Sequence, residues 1–175
     1  MNYFQELKKS MEWLSKQDKT IFIGQGVEEK GTGISNSLID IPKNKLLEMP
    51  VIEEFQMGIC NGMALDGHIP ICIFPRWNFL FLAVNQLVNH LDKIPIYSDY
   101  RPRIIIRTAI GSINPLNPQT QHIGDFTTSF KTMLSTIEVI RLDNVNEIFS
   151  AYEYAYNRND GKSTLLIEWA DKYNN

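Results

Sequence analysis

Met49-Pro50-Val51-Ile52-Glu53 sets a carboxylate at the opening turn of an apolar segment, behind a proline that holds the approach extended. A glutamate so placed can accept a hydrogen bond from a ligand or help to move a proton. Acids are also common at helix amino termini because they offset the dipole there, and on this segment alone that bland role suffices. The glycines after the first apolar strand invite a phosphate-binding reading, which their spacing defeats. Gly24-Gln25-Gly26 is followed by Glu29 where the dinucleotide fingerprint has its third glycine. Gly26 and Gly31 have the separation of a phosphate loop, but Thr32 stands in place of the lysine, and Glu28 and Glu29 would repel phosphate. A glycine-rich turn is what remains. His68, His90 and His122 show no pairing with cysteines or carboxylates at metal-ligand spacing, so no protein-built metal site is expected. No Gly-x-Ser-x-Gly elbow occurs.

The elements that must carry these residues can be read from periodicity. Phe4, Leu7, Met11 and Leu14 fall on one face of a helix over Tyr3 to Ser15, and Thr20 to Gly24 is a short buried strand. A loop rich in Gly, Ser and Asn follows, from Gln25 to about Asn36. Glu53 to Asp66 is a second helix, whose Gly58 and Gly62 would let another backbone approach closely. Ile69 to Phe74 is a strand. Leu80, Ala83, Val84, Leu87, Val88 and Leu91 then predict one long amphipathic helix over Trp77 to Leu91. Arg103 to Thr108, Thr136 to Arg141 and Ser163 to Glu168 are further strands, with a helix marked by Val145, Ile148, Phe149, Tyr152 and Tyr156 that Asp143 could cap. Strand and helix alternate along the chain. The expected fold class is therefore α/β, a mostly parallel central sheet with helices on both faces, in which ligands gather beyond the carboxyl ends of the strands.

Composition narrows the function classes. The 175 residues suit one domain over 1–175, since one core serves about 100 to 200 residues. A formal charge of −3 with interspersed signs gives no basic stripe for nucleic acid. Apolar runs such as Ile104-Ile105-Ile106 fall far short of the roughly 20 residues that span a membrane. The amino terminus lacks the apolar core of a secretory signal, so a cytoplasmic location is expected. Cys60 and Cys72 lie in segments that read as buried, and free thiols are expected rather than a disulfide.

Taken together, the Met49 to Glu53 segment, the helix and strand behind it, and Phe74-Pro75-Arg76-Trp77-Asn78-Phe79 resemble the beta subunits of thiamine-diphosphate-dependent 2-oxo acid dehydrogenases. In that family a Thr-Pro-Ile-Ser/Thr-Glu stretch leads into a helix rich in Gly and Ala. A strand and a phenylalanine-rich turn follow, then a helix containing an Asp/Asn-Gln pair, whose place Asn85-Gln86 takes here. The likeness runs from about Met49 to His122, and more loosely from Thr20 to Arg141. It implies the transketolase-like, pyrimidine-binding domain of a thiamine diphosphate enzyme. Glu53 matches the glutamate that hydrogen-bonds the cofactor's aminopyrimidine and favours the tautomer that removes the thiazolium proton. The cofactor then serves as the electron sink for a 2-oxo acid or ketose-like donor. Phe79 matches the aromatic residue that stacks on the pyrimidine, Val51 an apolar residue beneath the cofactor, and His122 a histidine near the substrate. For Val51, ordinary core packing is an equal reading.

The sequence also departs from that pattern. Gly24-Gln25-Gly26-Val27 stands where the family has Gly-Glu-Asp/Glu-Val, whose acids join a buried network for proton communication between paired sites. Ile73 replaces a common glutamate, and Arg76 places a charge in the phenylalanine turn. The Gly-Asp-Gly motif and following asparagine that hold the diphosphate through Mg2+ are missing. The resemblance therefore implies a diphosphate-binding alpha-type partner that carries the Mg2+, in a heterotetramer. Family beta subunits carry a further carboxyl-terminal domain that this sequence does not include, so a stand-alone decarboxylase or carboligase rivals the dehydrogenase. A second alternative is a non-catalytic, regulatory relative of the same fold. A third, an unrelated doubly wound nucleotide binder, is disfavoured by the failed glycine motifs.

Overall fold

The computed structural model describes residues 1–29, 31–111, 113 and 117–173. Among them the strands are β1 (Thr20–Gly24), β2 (Leu46–Glu48), β3 (Ile69–Ile73), β4 (Ile105–Ile110), β5 (Glu138–Arg141) and β6 (Thr164–Trp169). The α-helices are α1 (Tyr3–Ser15), α2 (Gly33–Asn36), α3 (Glu53–Leu65), α4 (Trp77–Phe81), α5 (Ile94–Tyr97), α6 (Thr127–Met133) and α7 (Ile148–Asn157). The strands form one sheet in the order β2-β1-β3-β4-β6-β5, and every pairing is parallel. This is the expected α/β architecture.

The sheet is parallel because its strands are apolar on both faces and must be covered on both. Successive side chains on a strand point to opposite faces. Phe22 and Ile71 accordingly enter one core with Leu7, Met11 and Leu14 of α1 and Tyr152 of α7. Ile23 and Cys72 enter the other, with Met57 and Cys60 of α3, Leu80 and Leu87. Cys60 and Cys72 are both buried free thiols, as expected, and burial followed by the neighbouring Cys72 pushes the Cys60 thiol well up. Helix α1 opens on a reciprocal cap, with Gln5 N donating to Asn2 Oδ1 at 2.9 Å and Asn2 N to Gln5 Oε1 at 3.0 Å. Among the described residues no helix is long and apolar enough to cross a membrane.

Several boundaries differ from the sequence reading. The long helix over Trp77 to Leu91 is broken into α4 and a π-helical stretch, Asn85–Leu91. There Asn85 Nδ2 reaches Glu54 Oε1 at 2.9 Å and the Gln86 carbonyl accepts from Asn61 Nδ2 at 3.3 Å, so the stretch is held against α3 by polar contacts while its backbone turn widens. Asp143 does not cap α7. Its carboxylate accepts from Arg141 Nε and Trp169 Nε1, both at 2.8 Å, and a 3-10 turn at Val145–Glu147 opens the helix instead. Within the expected loop, Gly33–Asn36 coils into α2 behind a Thr32/Ser35 capping box. Leu46–Glu48 was not anticipated as a strand, being three residues on an exposed edge.

The fifth strand starts at Glu138 rather than Thr136 because the preceding amides have another partner. The buried Asp92 carboxylate accepts from Ser135 N (2.9 Å), Thr136 N (2.7 Å) and Ile137 N (3.2 Å), with Lys93 Nζ at 2.7 Å from its other oxygen. Burial alone would raise the Asp92 pKa, but Lys93 and these amides outweigh it and hold the carboxyl below its ordinary range. Asp92→Ala is expected to cost about 2 to 3 kcal/mol, measured by urea denaturation, because it orphans amides that a charged acceptor satisfied. A depressed native pKa stabilises the fold above the unfolded value of about 4 and ceases to do so as pH falls through the native value. The difference between wild type and Asp92→Ala should therefore be full at pH 6 and shrink below pH 4.

Candidate functional site

The order β2-β1-β3 creates a crevice. From β1 the chain moves to β2 on one side, and α3 then carries it back across to β3 on the other. Connections diverge there, and in such sheets ligands gather beyond the carboxyl ends of the strands at that point. Three segments converge on it: Gln25 after β1, Glu53 at the start of α3, and Phe74 to Phe79 after β3.

Local contacts fix each segment. Gly24 pairs with Ile73, and a Cβ on Gly24 would lie 2.6 Å from the Ile73 carbonyl oxygen, so the two strand ends come this close only with glycine. Met49 N continues the edge pairing by donating to Gly24 O at 2.9 Å, after which Pro50 turns the chain and Ile52 N donates to Pro50 O at 2.8 Å. One helical turn after Glu53, the buried Gln56 donates from Nε2 to Ile73 O at 2.9 Å. That bond locks the first turn of α3 over the end of β3.

Glu53 is 4% exposed, and its Oε1 accepts from Gln25 Nε2 at 3.1 Å. Among the described residues no lysine or arginine nitrogen lies within ion-pair distance of it. An acid that only offsets a helix dipole needs no burial, so the enclosure of Glu53 beside a neutral amide makes it the candidate carboxylate of this site. Val51, two residues earlier, is 73% exposed. Core packing within this chain therefore does not account for it.

The structure brings Phe79 and His122 together. Their rings stack with centroids 5.4 Å apart and planes 10° from parallel. The buried His122 Nδ1 has no hydrogen-bond partner among the described residues. The sequence singles out both residues separately, but their mutual stacking joins distant segments and leaves no local pattern. Gln25 stands out in the sequence only for the acid it replaces, and its contact with Glu53 was missed. The signal available was its place directly after the β1 glycine.

The failed phosphate motif has a physical counterpart. The amides of Gly26 and Glu28 form an anion-accepting turn, and the Glu48 carboxylate fills it. A separate groove of about 430 Å³ opens at the far edge of the sheet, lined in part by Thr127, Lys131, Arg141 and Asp143. None of the candidate site residues lies in it.

These features define the chain as an α/β protein with a β1/β3 switch point, one buried carboxylate at the start of α3 and a stacked aromatic pair contributed by α4 and the segment before α6. The same fold occurs in transketolases. A split gene transketolase, described as an inactive beta4 tetramer, superposes with a TM-score of 0.71 and 10% identity over 97% of this chain and 51% of that one. The transketolase of Campylobacter jejuni gives 0.74 and 14% over 97% of this chain and 26% of that one. No family model matches the sequence. At the sequence level the chain is similar to the mitochondrial pyruvate dehydrogenase E1 component subunit beta of Drosophila melanogaster, 26% identical over 86 residues, which is 46% of this chain and 23% of that protein. The chain thus spans about half the length, or less, of the relatives it resembles.

Proposed function

We propose that this chain is a single pyrimidine-binding, transketolase-like domain acting as the beta-type subunit of a two-subunit thiamine diphosphate enzyme. The observation that carries the reading is the buried Glu53 carboxylate at the switch-point crevice, held by a neutral amide and by no cation among the described residues. Such a group fits the weakly basic nitrogen of an aminopyrimidine, with which it would share one proton: the carboxyl donates to the neutral ring nitrogen, or the carboxylate accepts from the protonated one, and a carboxylate already neutralised by lysine or arginine would hold that proton weakly. Phe79 fits the face of the same ring, Val51 the apolar surface beneath it, and the unpartnered Nδ1 of His122 a polar atom of the donor. Thiamine diphosphate, when bound, supplies the electron sink for cleavage next to a carbonyl. The chain's own work is orientation and proton control: Glu53 holds the pyrimidine nitrogen, Gln25 holds Glu53, and His122 faces the reacting carbonyl.

The diphosphate and its Mg2+ belong, on this reading, to an alpha-type partner in a cytoplasmic heterotetramer, with the cofactor lying across the interface. The exposed Val51, Ile52 and Phe55 around the start of α3 support burial by such a partner. So does the description of the structurally similar split gene transketolase as an inactive beta4 tetramer. The donor is a 2-oxo acid or a ketose-like compound, handled by decarboxylation or carboligation as readily as by dehydrogenation.

Titration of thiamine diphosphate and Mg2+ into this chain, its co-purifying partner and their mixture tests the reading. Binding is expected in the mixture, at least tenfold tighter than to either chain alone. A mixture that binds no cofactor would favour a regulatory relative and end the proposal.

A further inference from the structure

Arg76 begins α4 with an extended backbone, φ −154° and ψ 162°. That conformation sends its side chain away from the helix and toward the end of β4. Its Nη1 donates to Gly111 O at 2.8 Å and to His122 O at 3.1 Å. These two carbonyls belong to the last turn off β4 and to the loop that precedes α6. The same arginine therefore joins the β3–α4 turn, which carries Phe79, to the segment that carries His122.

The anchoring side has contacts of its own. Gly111 takes φ +78°, and a Cβ there would lie 2.8 Å from Asp171 Oδ2. Asp171 Oδ1 accepts from Ile113 N at 2.7 Å, which ties the chain just beyond Gly111 to the end of β6. Burial lowers the Arg76 pKa, and nearby Asp171 and Tyr173 act in the opposite direction, so the guanidinium remains charged at any physiological pH. A charged donor shared between two carbonyls makes a stronger bridge than a neutral one. His122, by contrast, stacks on Phe79 with its Nδ1 unpartnered among the described residues, so the ring itself has little polar anchorage.

We propose that Arg76 is a positioning residue that fastens the His122 segment to the end of β4 and thereby sets the His122 imidazole on the face of Phe79. Its relevance to turnover rests on the thiamine diphosphate reading, whereas the contact itself does not. Arg76 acts through His122 and needs no contact with the donor.

Proton NMR of the histidine rings in the full chain, free of cofactor, tests this directly. Stacking on Phe79 displaces the His122 ring protons upfield, and Phe79→Leu identifies that resonance and defines its unstacked position. Arg76→Met, which keeps the aliphatic stem and removes every donor, is expected to shift the His122 resonance to the Phe79→Leu position while those of His68 and His90 stay in place. Arg76→Gln keeps a polar head too short to reach both carbonyls and should give the same loss, so either variant suffices if the other fails to fold. Arg76→Lys should restore part of the displacement. A His122 resonance that remains at its wild-type position in the folded Met or Gln variant overturns the proposal. Thiamine diphosphate titration of wild type with its partner is a separate measurement: failure to bind would end the functional reading and leave the ring signature to judge Arg76.

Discussion

Glu53→Gln should leave the fold intact and lower thiazolium proton exchange in the assembled enzyme by at least roughly 100-fold, the scale on which a positioned acid–base group acts. The amide is nearly isosteric, so Gln56 can still lock α3 to the end of β3. Stability should change little, because the amide keeps the size of the carboxyl and an oxygen that can still accept from Gln25. What is lost is the acceptor strength on which proton removal depends. Exchange measured by hydrogen–deuterium incorporation, at saturating cofactor and partner, separates this from a binding defect. Undiminished exchange would remove Glu53 from the mechanism and take the functional reading with it. Gln25→Ala provides the graded companion: it deletes the hydrogen bond to Oε1, which is worth about 1.5 to 3 kcal/mol when one partner is ionised, and should reduce exchange by about tenfold.

Much of the framework was legible because it rests on periodicity. Leu7, Met11 and Leu14 on one helical face, and strand segments apolar throughout, leave few alternatives to a parallel sheet covered on both sides. The place of Glu53 at the start of α3 was legible through the proline that precedes it. Its burial was not, because exposure depends on how β1 and β3 meet at Gly24 and Ile73. The break after Phe81 was hidden for a similar reason. Leu80, Leu87 and Leu91 keep helical spacing and are buried, while the contacts of Asn85 and Gln86 with α3 come from sequence some 25 to 31 positions away. Asp143 misled because a helix cap and an ion-pair partner look alike in sequence. Arg141 at two residues' distance and Trp169 on a neighbouring strand claim its carboxylate first.

The largest expected loss of stability lies in a pair that sequence reading treated only as strand residues. Arg107 of β4 and Glu168 of β6 are both wholly buried, with Nε to Oε1 at 2.7 Å and Nη2 to Oε2 at 3.1 Å. Tyr152 and Tyr173 also donate to Glu168, and Arg107 Nη2 reaches Ser37 Oγ at 3.2 Å. Burial would by itself lower the Arg107 pKa, but Glu168 prevails and raises it, while burial, with help from Glu168 and against the opposing charge of Arg107, pushes both tyrosines well up. Removing one member, by Arg107→Met or Glu168→Leu, leaves the other charge uncompensated and is expected to cost about 3 to 5 kcal/mol in urea denaturation. The double variant should recover a large part of that, since two apolar side chains replace two desolvated ions, although both tyrosine hydroxyls lose their acceptor. Singles that each cost less than about 1 kcal/mol would show that the pair contributes little. The tyrosines add a pH signature of the opposite sense to that of Asp92. Groups whose native pKa is raised stabilise the fold below the unfolded value of about 10 and cease to do so as pH rises beyond it, so wild type should weaken on the alkaline side, and less steeply once Tyr152 and Tyr173 are both replaced by phenylalanine. The same two strands end at Gly111 and, just past Trp169, at Asp171, the anchors of the segment that brings His122 to Phe79. A break in the buried pair should therefore reach the crevice as well as the core, and the His122 ring resonance in Glu168→Leu should broaden or shift even under conditions where the variant remains folded.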